Sequence, residues 1–281
     1  MTVLRPDLIY DVGLLDGSDT EYYLFRGYKV VAIDANPLMI ENARERFATE
    51  LADGRLTLLN SGIAETSGLA TFWVSEHPPW SSFQENIASR DGVACRPISV
   101  AVRPFSAILA EYGVPYYMKI DIEGNDRLCL EALRGTRLPE YLSVEAECVG
   151  DGERLSEEAA IAMLILLRKI GYTQFKLVNQ EGWASVRPDG LKRFCMGLVN
   201  GAAGRPPEWL ARFAEKRTDR AHLARLGFRF TKDSSGPWGD DVPGGWMTFE
   251  PARSAYLRER REFFSVERPL YSFWYDWHAT Y

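Results

Sequence analysis

The run Tyr117-Met118-Lys119-Ile120-Asp121-Ile122-Glu123-Gly124 sets a charge at every second position of an otherwise apolar stretch. Alternate side chains of a strand share a face, so Lys119, Asp121 and Glu123 are expected on one side and Met118, Ile120 and Ile122 on the other. Two carboxylates beside an ammonium can hold and move a proton, and they can equally form a plain ion pair at a strand end. Other apolar runs also close on carboxylates: Asp11, Asp34, and Glu145 or Glu147. In open α/β sheets, ligands bind beyond the carboxyl ends of the strands, where these groups would gather.

The turn from Asp11 to Thr20 contains Gly13 and Gly17, which let a backbone turn sharply and approach a ligand. Ser18, Asp19 and Thr20 follow as candidate caps for a helix. Asp34 stands 23 residues after Asp11, where a carboxylate accepts hydrogen bonds from both hydroxyls of a ribose, with Ala35 and Asn36 beside it. After the next strand, Asn60-Ser61-Gly62-Ile63 offers a polar edge and an apolar face to an adenine, or forms a plain loop. The G-x-G-x-x-G spacing that seats a pyrophosphate on a helix N-terminus is missing, which disfavours a nicotinamide-dependent dehydrogenase. Asp11, Asp16 and Asp19 instead crowd the turn and suit a cationic cofactor without phosphate, and S-adenosyl-L-methionine has that character.

Elements that alternate between strand and helix must position these groups. Strands are expected at Leu8 to Val12, Lys29 to Ile33, Arg55 to Leu59, Tyr116 to Ile122, Tyr141 to Ala146 and Phe175 to Val178. Helices are expected at Thr20 to Arg26, Pro37 to Leu51, Phe105 to Tyr112, Asp126 to Leu133 and Ser156 to Ile170. Two β-like pieces, Leu69 to Val74 and Pro97 to Val102, bracket a loop with His77, Ser81 and Ser82 that could form a lid. This pattern predicts an α/β fold with a mostly parallel central sheet. Beyond about residue 180 the alternation fades, yet six of the eight tryptophans lie there. The expected division is therefore a cofactor-binding domain over 1–180 and an aromatic-rich extension over 181–281, packed on the core as an acceptor-site cap or oligomer contact.

Composition narrows the partners. A net charge of -6 and a sequence pI near 5.3 argue against nucleic acid. Cys95, Cys129, Cys148 and Cys195 show no Cys-x-x-Cys pairing, so neither a zinc knuckle nor a disulfide framework is expected. The N-terminus lacks the apolar run of a signal peptide, and no stretch reaches the ~20 apolar residues of a membrane span. The expected setting is the cytosol, with no membrane partner.

Ile9-Tyr10-Asp11-Val12-Gly13, Gly17, Asp34 and above all Lys119-Ile120-Asp121-Ile122-Glu123-Gly124 resemble the FkbM-type S-adenosylmethionine-dependent methyltransferases over about residues 7 to 147. The loop Ser234 to Gly239 and the aromatic tail through Trp277 and His278 look like an extension found in a bacterial branch of that family. Where the common methyltransferase turn has a middle glycine, this one has Leu15. The resemblance implies a Rossmann-like class I fold and methyl transfer, usually to a hydroxyl of a sugar, polyketide or similar small metabolite. Asp121 and Glu123 are the expected proton-handling pair, with Asp121 also near the sulfonium and Lys119 orienting both. The expected cofactor contacts are Asp11, Gly13, Gly17, Thr20, Asp34, Ala35, Asn36, Ser61, Gly62, Ile63 and Asp121. No metal is expected; the alternative is magnesium on Asp121 with Glu145 or Glu147. A non-catalytic cofactor-binding or assembly protein is the competing reading, and a homo-oligomer fits either.

Overall fold

Five runs of aliphatic and aromatic residues that are apolar on both faces become parallel strands, because a strand covered on two sides must be apolar throughout. The structure, a computed structural model, describes residues 3–146, 156–186, 219, 221–231, 234–265 and 273–281. Its contacts divide the chain into two units, Met1–Glu145 with Lys169–Gly171, and Ala146–Arg168 with Tyr172–Tyr281.

The first unit runs β1 (Leu4–Val12), α1 (Ser18–Phe25), β2 (Lys29–Asp34), α2 (Pro37–Arg46), α3 (Ala48–Ala52), β3 (Leu56–Asn60), β4 (Gly62–Ile63), β5 (Gly68–Ser75), α4 (Glu85–Ala88), β6 (Cys95–Arg103), α5 (Phe105–Tyr112), β7 (Val114–Ile120), α6 (Asp126–Glu131) and β8 (Tyr141–Glu145). Five of these strands form a parallel sheet in the order β8-β7-β1-β2-β3. The order reverses between β1 and β7, which makes the carboxyl ends of those two strands the switch point where open α/β sheets bind ligands. Ile9, Tyr10, Val12, Tyr117, Met118 and Ile120 are almost wholly buried there. Each such side chain contributes roughly 1.5–3 kcal/mol by leaving water, which makes the strands bearing the charged groups the best-anchored part of the unit.

Two boundaries near the strand ends of this unit differ from the sequence reading in ways that matter for the site. The expected helix from Pro37 to Leu51 breaks at Phe47, whose backbone leaves the helical region (φ -112°, ψ 33°). The break turns the Phe47 ring into the space beside Gly17, where a Cβ would lie 2.7 Å from it. The strand expected to reach Ile122 ends at Ile120, and Glu123 lies in left-handed backbone (φ 51°), so the alternation of faces stops before the second carboxylate.

A second, three-stranded sheet in the order β4-β6-β5 holds its own small core of Phe72, Val100 and Val102. Pro97 interrupts no ladder, because β4 pairs with β6 only at Val102 and Arg103 and leaves that edge of Pro97 free.

The second unit contains α7 (Glu157–Ala160), β9 (Gln174–Asn179), β10 (Ala184–Ser185), α9 (Phe249–Phe264) and β11 (Tyr275–Thr280), and α8 (Ala162–Ile170) begins in it. The single helix expected from Ser156 to Ile170 is two, parted at Ile161. Strands β10, β9 and β11 pair antiparallel in that order. Trp277 is fully buried against Tyr256, and Trp238 is buried as well. Lys176 is buried, donates to the carbonyls of Gly239 and Val242, and sits over the Trp246 ring. Trp209, Arg212, Lys216, Arg217 and Arg220 lie outside the described residues, as do Glu147, Cys148 and Cys195. Cys95 and Cys129 are free thiols. Among the described residues, no helix is long and apolar enough to cross a membrane.

Candidate active site

Asp11 and Lys119 are register partners on β1 and β7, and both are buried. A buried charge must be paired, and here the pairing is shared. The Lys119 ammonium lies 3.3 Å from Asp11, 3.6 Å from Asp19 and 4.0 Å from Asp121, and it donates to the Gly13 carbonyl at 2.6 Å. The Thr20 hydroxyl donates to the other Asp11 oxygen at 2.7 Å. Burial pushes the Asp11 carboxyl up to about 6 against the pull of Lys119, while its carboxylate neighbours hold Lys119 protonated, above its ordinary value. One ammonium among three carboxylates leaves the cluster net negative.

Gly13 allows this convergence. Its φ is +94°, and a Cβ there would fall 1.8 Å from the Asp121 carbonyl oxygen, so only glycine lets the two strand-end loops touch. The Asp121 amide donates to Val12 across the same contact. Gly17, also in left-handed backbone, precedes α1 with no side-chain cap; Ser18 turns to Asp16 and Thr20 to Asp11, so neither caps the helix as the sequence suggested.

Asp34 closes β2. One carboxylate oxygen accepts from the Leu15 amide at 3.0 Å and the other from the Asn36 amide at 2.8 Å. Leu15 reaches it with φ +50°, left-handed backbone that glycine adopts more cheaply. Burial raises the Asp34 carboxyl to about 6, opposed by those two amides and by Lys119. Asn36 caps α2 through the Leu38 amide. Asn60 donates to the Asp34 and Ala35 carbonyls, and the Ser61 amide to the Asp34 carbonyl, which binds the β3 exit to the β2 exit. Gly62 and Ile63 sit on β4 in the small sheet, with Gly62 pressed against Phe83 and the Ile63 carbonyl accepting from Asn125.

Asp121 stands just past β7, its side chain more than a third exposed, while Glu123 lies deeper. Asp121, Glu123 and Glu145 each bring a carboxylate oxygen within 4.8 Å of the others. Burial and then Asp121 push the Glu123 carboxyl up to about 7, with Arg90 pulling the other way. Glu123 pairs with Arg90, whereas Lys119 reaches Asp121 from the other side. Asp126 accepts from the amides of Ile122 at 3.0 Å and Gly124 at 3.1 Å and so locks the turn.

The predicted residues thus form two linked groups: Asp11, Gly13, Thr20, Lys119 and Asp121 at the switch point, and Asp34, Ala35, Asn36 and Ser61 beside it. Leu15 joins them, as do the amides of Gly13 and Leu14, which donate to Ile33. Arg90, Asp19 as an ion-pair partner, and Asp126 were not singled out from sequence. Asp126 carries a readable signal, a carboxylate two residues past a glycine before a helix. Arg90, 33 residues upstream of Glu123, carries none.

A switch point in strand order, with a carboxylate closing the second strand and glycine allowing close approach at the first, is the arrangement of a class I cofactor fold. Residues 11–172 match the Methyltransferase FkbM domain, more than half of the chain, and the protein belongs to that methyltransferase family. A stretch of 52 residues is also 40% identical to a protein of Methanospirillum hungatei JF-1 named probable ribosomal RNA small subunit methyltransferase A. That match covers 18% of this chain and 20% of the relative.

Proposed function

We propose that the protein uses S-adenosyl-L-methionine to methylate a hydroxyl of a small metabolite such as a sugar or polyketide. The observation that carries this reading is the net-negative group of Asp11, Asp19, Asp121 and Lys119 at the switch point. Such a charge set fits a cofactor bearing an ammonium and a sulfonium and repels a pyrophosphate. Asp34 keeps lone pairs for ribose hydroxyls, since each of its oxygens accepts a single amide. Ala35 and Asn36 would flank the ribose, Ser61, Gly62 and Ile63 the adenine, and the turn bearing Gly13 and Gly17 the methionine end.

The bound cofactor supplies an electrophilic methyl group, and the protein's share is alignment, exclusion of water and removal of a proton. Asp121, the more exposed carboxylate, faces the incoming acceptor, and Glu123 serves as proton acceptor behind it. A carboxyl raised to about 7 is matched to that task near neutral pH. The net charge of -6 favours a small acceptor over the ribosomal RNA in the relative's name.

Calorimetry with S-adenosylmethionine, S-adenosylhomocysteine and NAD tests the reading. Binding of the first two and not of NAD is expected. NAD binding alone, or no binding at all, overturns it in favour of a dehydrogenase or a non-catalytic protein.

A further inference from the structure

In the second unit, β9 and β11 have one apolar face and one polar face. Phe175 and Trp277 pack on the first, against Phe249 and Tyr256 of α9. Alternation sends Lys176, His278 and Asp276 to the second, since Lys176 is the register partner of His278 and Val178 that of Asp276. The ladder runs one step further, the Gln180 amide donating to the Trp274 carbonyl at 3.0 Å, and this brings Gln180 onto the same face. Lys176, His278 and Gln180 are each only 1% exposed, although the face is polar.

Two of these side chains have nothing to bond. Among the described residues, neither ring nitrogen of His278 and neither polar atom of the Gln180 side chain meets a hydrogen-bond partner. A buried donor or acceptor left unpaired costs free energy, so two such side chains on one face weaken the fold and call for another reason to be there. A roof covers them. The Lys176 ammonium donates to the carbonyls of Gly239 at 2.9 Å and Val242 at 2.8 Å, and the Ser185 hydroxyl, opposite Val178 on β10, donates to that of Pro243. The loop so held, residues 234–245, has Gly236, Gly239 and Gly244 in left-handed backbone, and such glycine hinges let a loop lift and close.

The chemistry of the face selects a ligand. Burial, and then Lys176, push His278 down to about 3, so its ring is neutral and offers one donor and one acceptor. The Gln180 amide offers both kinds as well. Hydroxyl groups donate and accept and so match this set, whereas an anion only accepts and would leave both acceptors bare. Asp276 on the same face, and Asp240 and Asp241 acting on Lys176, also disfavour an anion. Gln180 and His278 are four ladder steps apart, about 13 Å of strand, a gap that the two side chains and one sugar ring together span.

We propose that this face binds a neutral, polyhydroxylated ligand of monosaccharide size, with His278 and Gln180 hydrogen-bonding its hydroxyls beneath the 234–245 loop. This is the chemical class of the acceptor in the reading above, but nothing in the site depends on that reading.

The test is an NMR titration of protein labelled with 15N-histidine, with His278→Phe identifying the His278 ring signals and D-glucose, D-galactose, L-rhamnose and inorganic phosphate as probes. At least one sugar is expected to shift both His278 nitrogens saturably, and Gln180→Met to weaken that sugar about tenfold or more. Bound sugar should also slow hydrogen exchange of the 234–245 amides; unchanged exchange overturns the part given to the loop. Saturable shifts with phosphate alone overturn the ligand class. No shift with any of the three sugars, or wild-type affinity in Gln180→Met, overturns the site. Where Gln180→Met fails to fold, the wild-type titration still decides, because the His278 signals are read there. Absent S-adenosylmethionine binding by the same protein overturns the methyltransferase reading and leaves this site standing.

Discussion

Lys119 is the residue on which the most depends. Removing one member of a buried ion cluster leaves the others uncompensated, so Lys119→Met should lose about 3–5 kcal/mol in urea unfolding at pH 8. The loss should shrink toward pH 5, where Asp11 takes up a proton and sheds its charge. A pH-independent loss below about 1 kcal/mol would show that the ammonium does not carry the cluster. Asp34 makes a second prediction. Its carboxyl titrates at about 6, and a protonated acid has fewer acceptor sites for ribose hydroxyls. Cofactor affinity should therefore fall as pH drops from 7.5 to 5, while Asp34→Asn should bind more weakly and lose most of that pH dependence. An unchanged affinity in Asp34→Asn at pH 7.5 would remove Asp34 from the site.

At the scale of elements, the contact between the β1 and β7 exits invites the sharpest perturbation. Gly13→Ala places a methyl on the Asp121 carbonyl and asks a side chain to adopt φ +94°. Both effects disfavour the native turn, and a loss of about 2 kcal/mol or more is expected in thermal unfolding, against a few tenths for Gly68→Ala, where the backbone is that of an ordinary strand and a Cβ meets nothing. Equal losses in the two variants would show that the approach is not tight. Elements of this kind were legible in the sequence where a local rule was strong. The carboxylates ending β1 and β2 follow apolar runs, and Phe105–Tyr112 forms the helix its pattern predicts. What stayed illegible depends on distant partners. Ile122 looks like the next strand residue, yet Asp126 captures its amide and ends the ladder. Phe47 fits helical spacing, yet its ring fills the space beside Gly17 and breaks the helix. The pairing of Glu123 with Arg90 in preference to Lys119 arises only when a second sheet folds against the turn.

Among the described residues, four raised carboxyls set a pH dependence for the whole molecule. Asp11, Asp34 and Asp126 are raised to about 6 and Glu123 to about 7 in the folded protein. Folded values above unfolded ones mean that the native state binds these protons more tightly. Their contribution is fully present below the unfolded values near 4 and is lost as pH rises through 6 to 7. Lys119, also raised, acts only in the alkaline range, and His278, which burial holds down to about 3, works the other way below its ordinary 6.5 and offsets only part of the loss from four carboxyls. The urea midpoint should decline between pH 5 and pH 8, and Glu123→Gln should flatten the decline by removing one titrating group. A midpoint that rises over that interval would contradict the assigned directions.

The two sheets of the first unit also differ in depth. The parallel strands share a continuous buried core, whereas the β4-β6-β5 sheet closes over three buried side chains. Local opening follows such differences. In deuterated solvent, amides of β5 and β6 should therefore exchange earlier than those of β1 and β7, and each brief opening would release Glu123 from Ser82 and Arg90 while the Asp11–Lys119 cluster stays intact. The protein would then keep two clocks, a slow one for the platform and a faster one for the turn that carries Glu123.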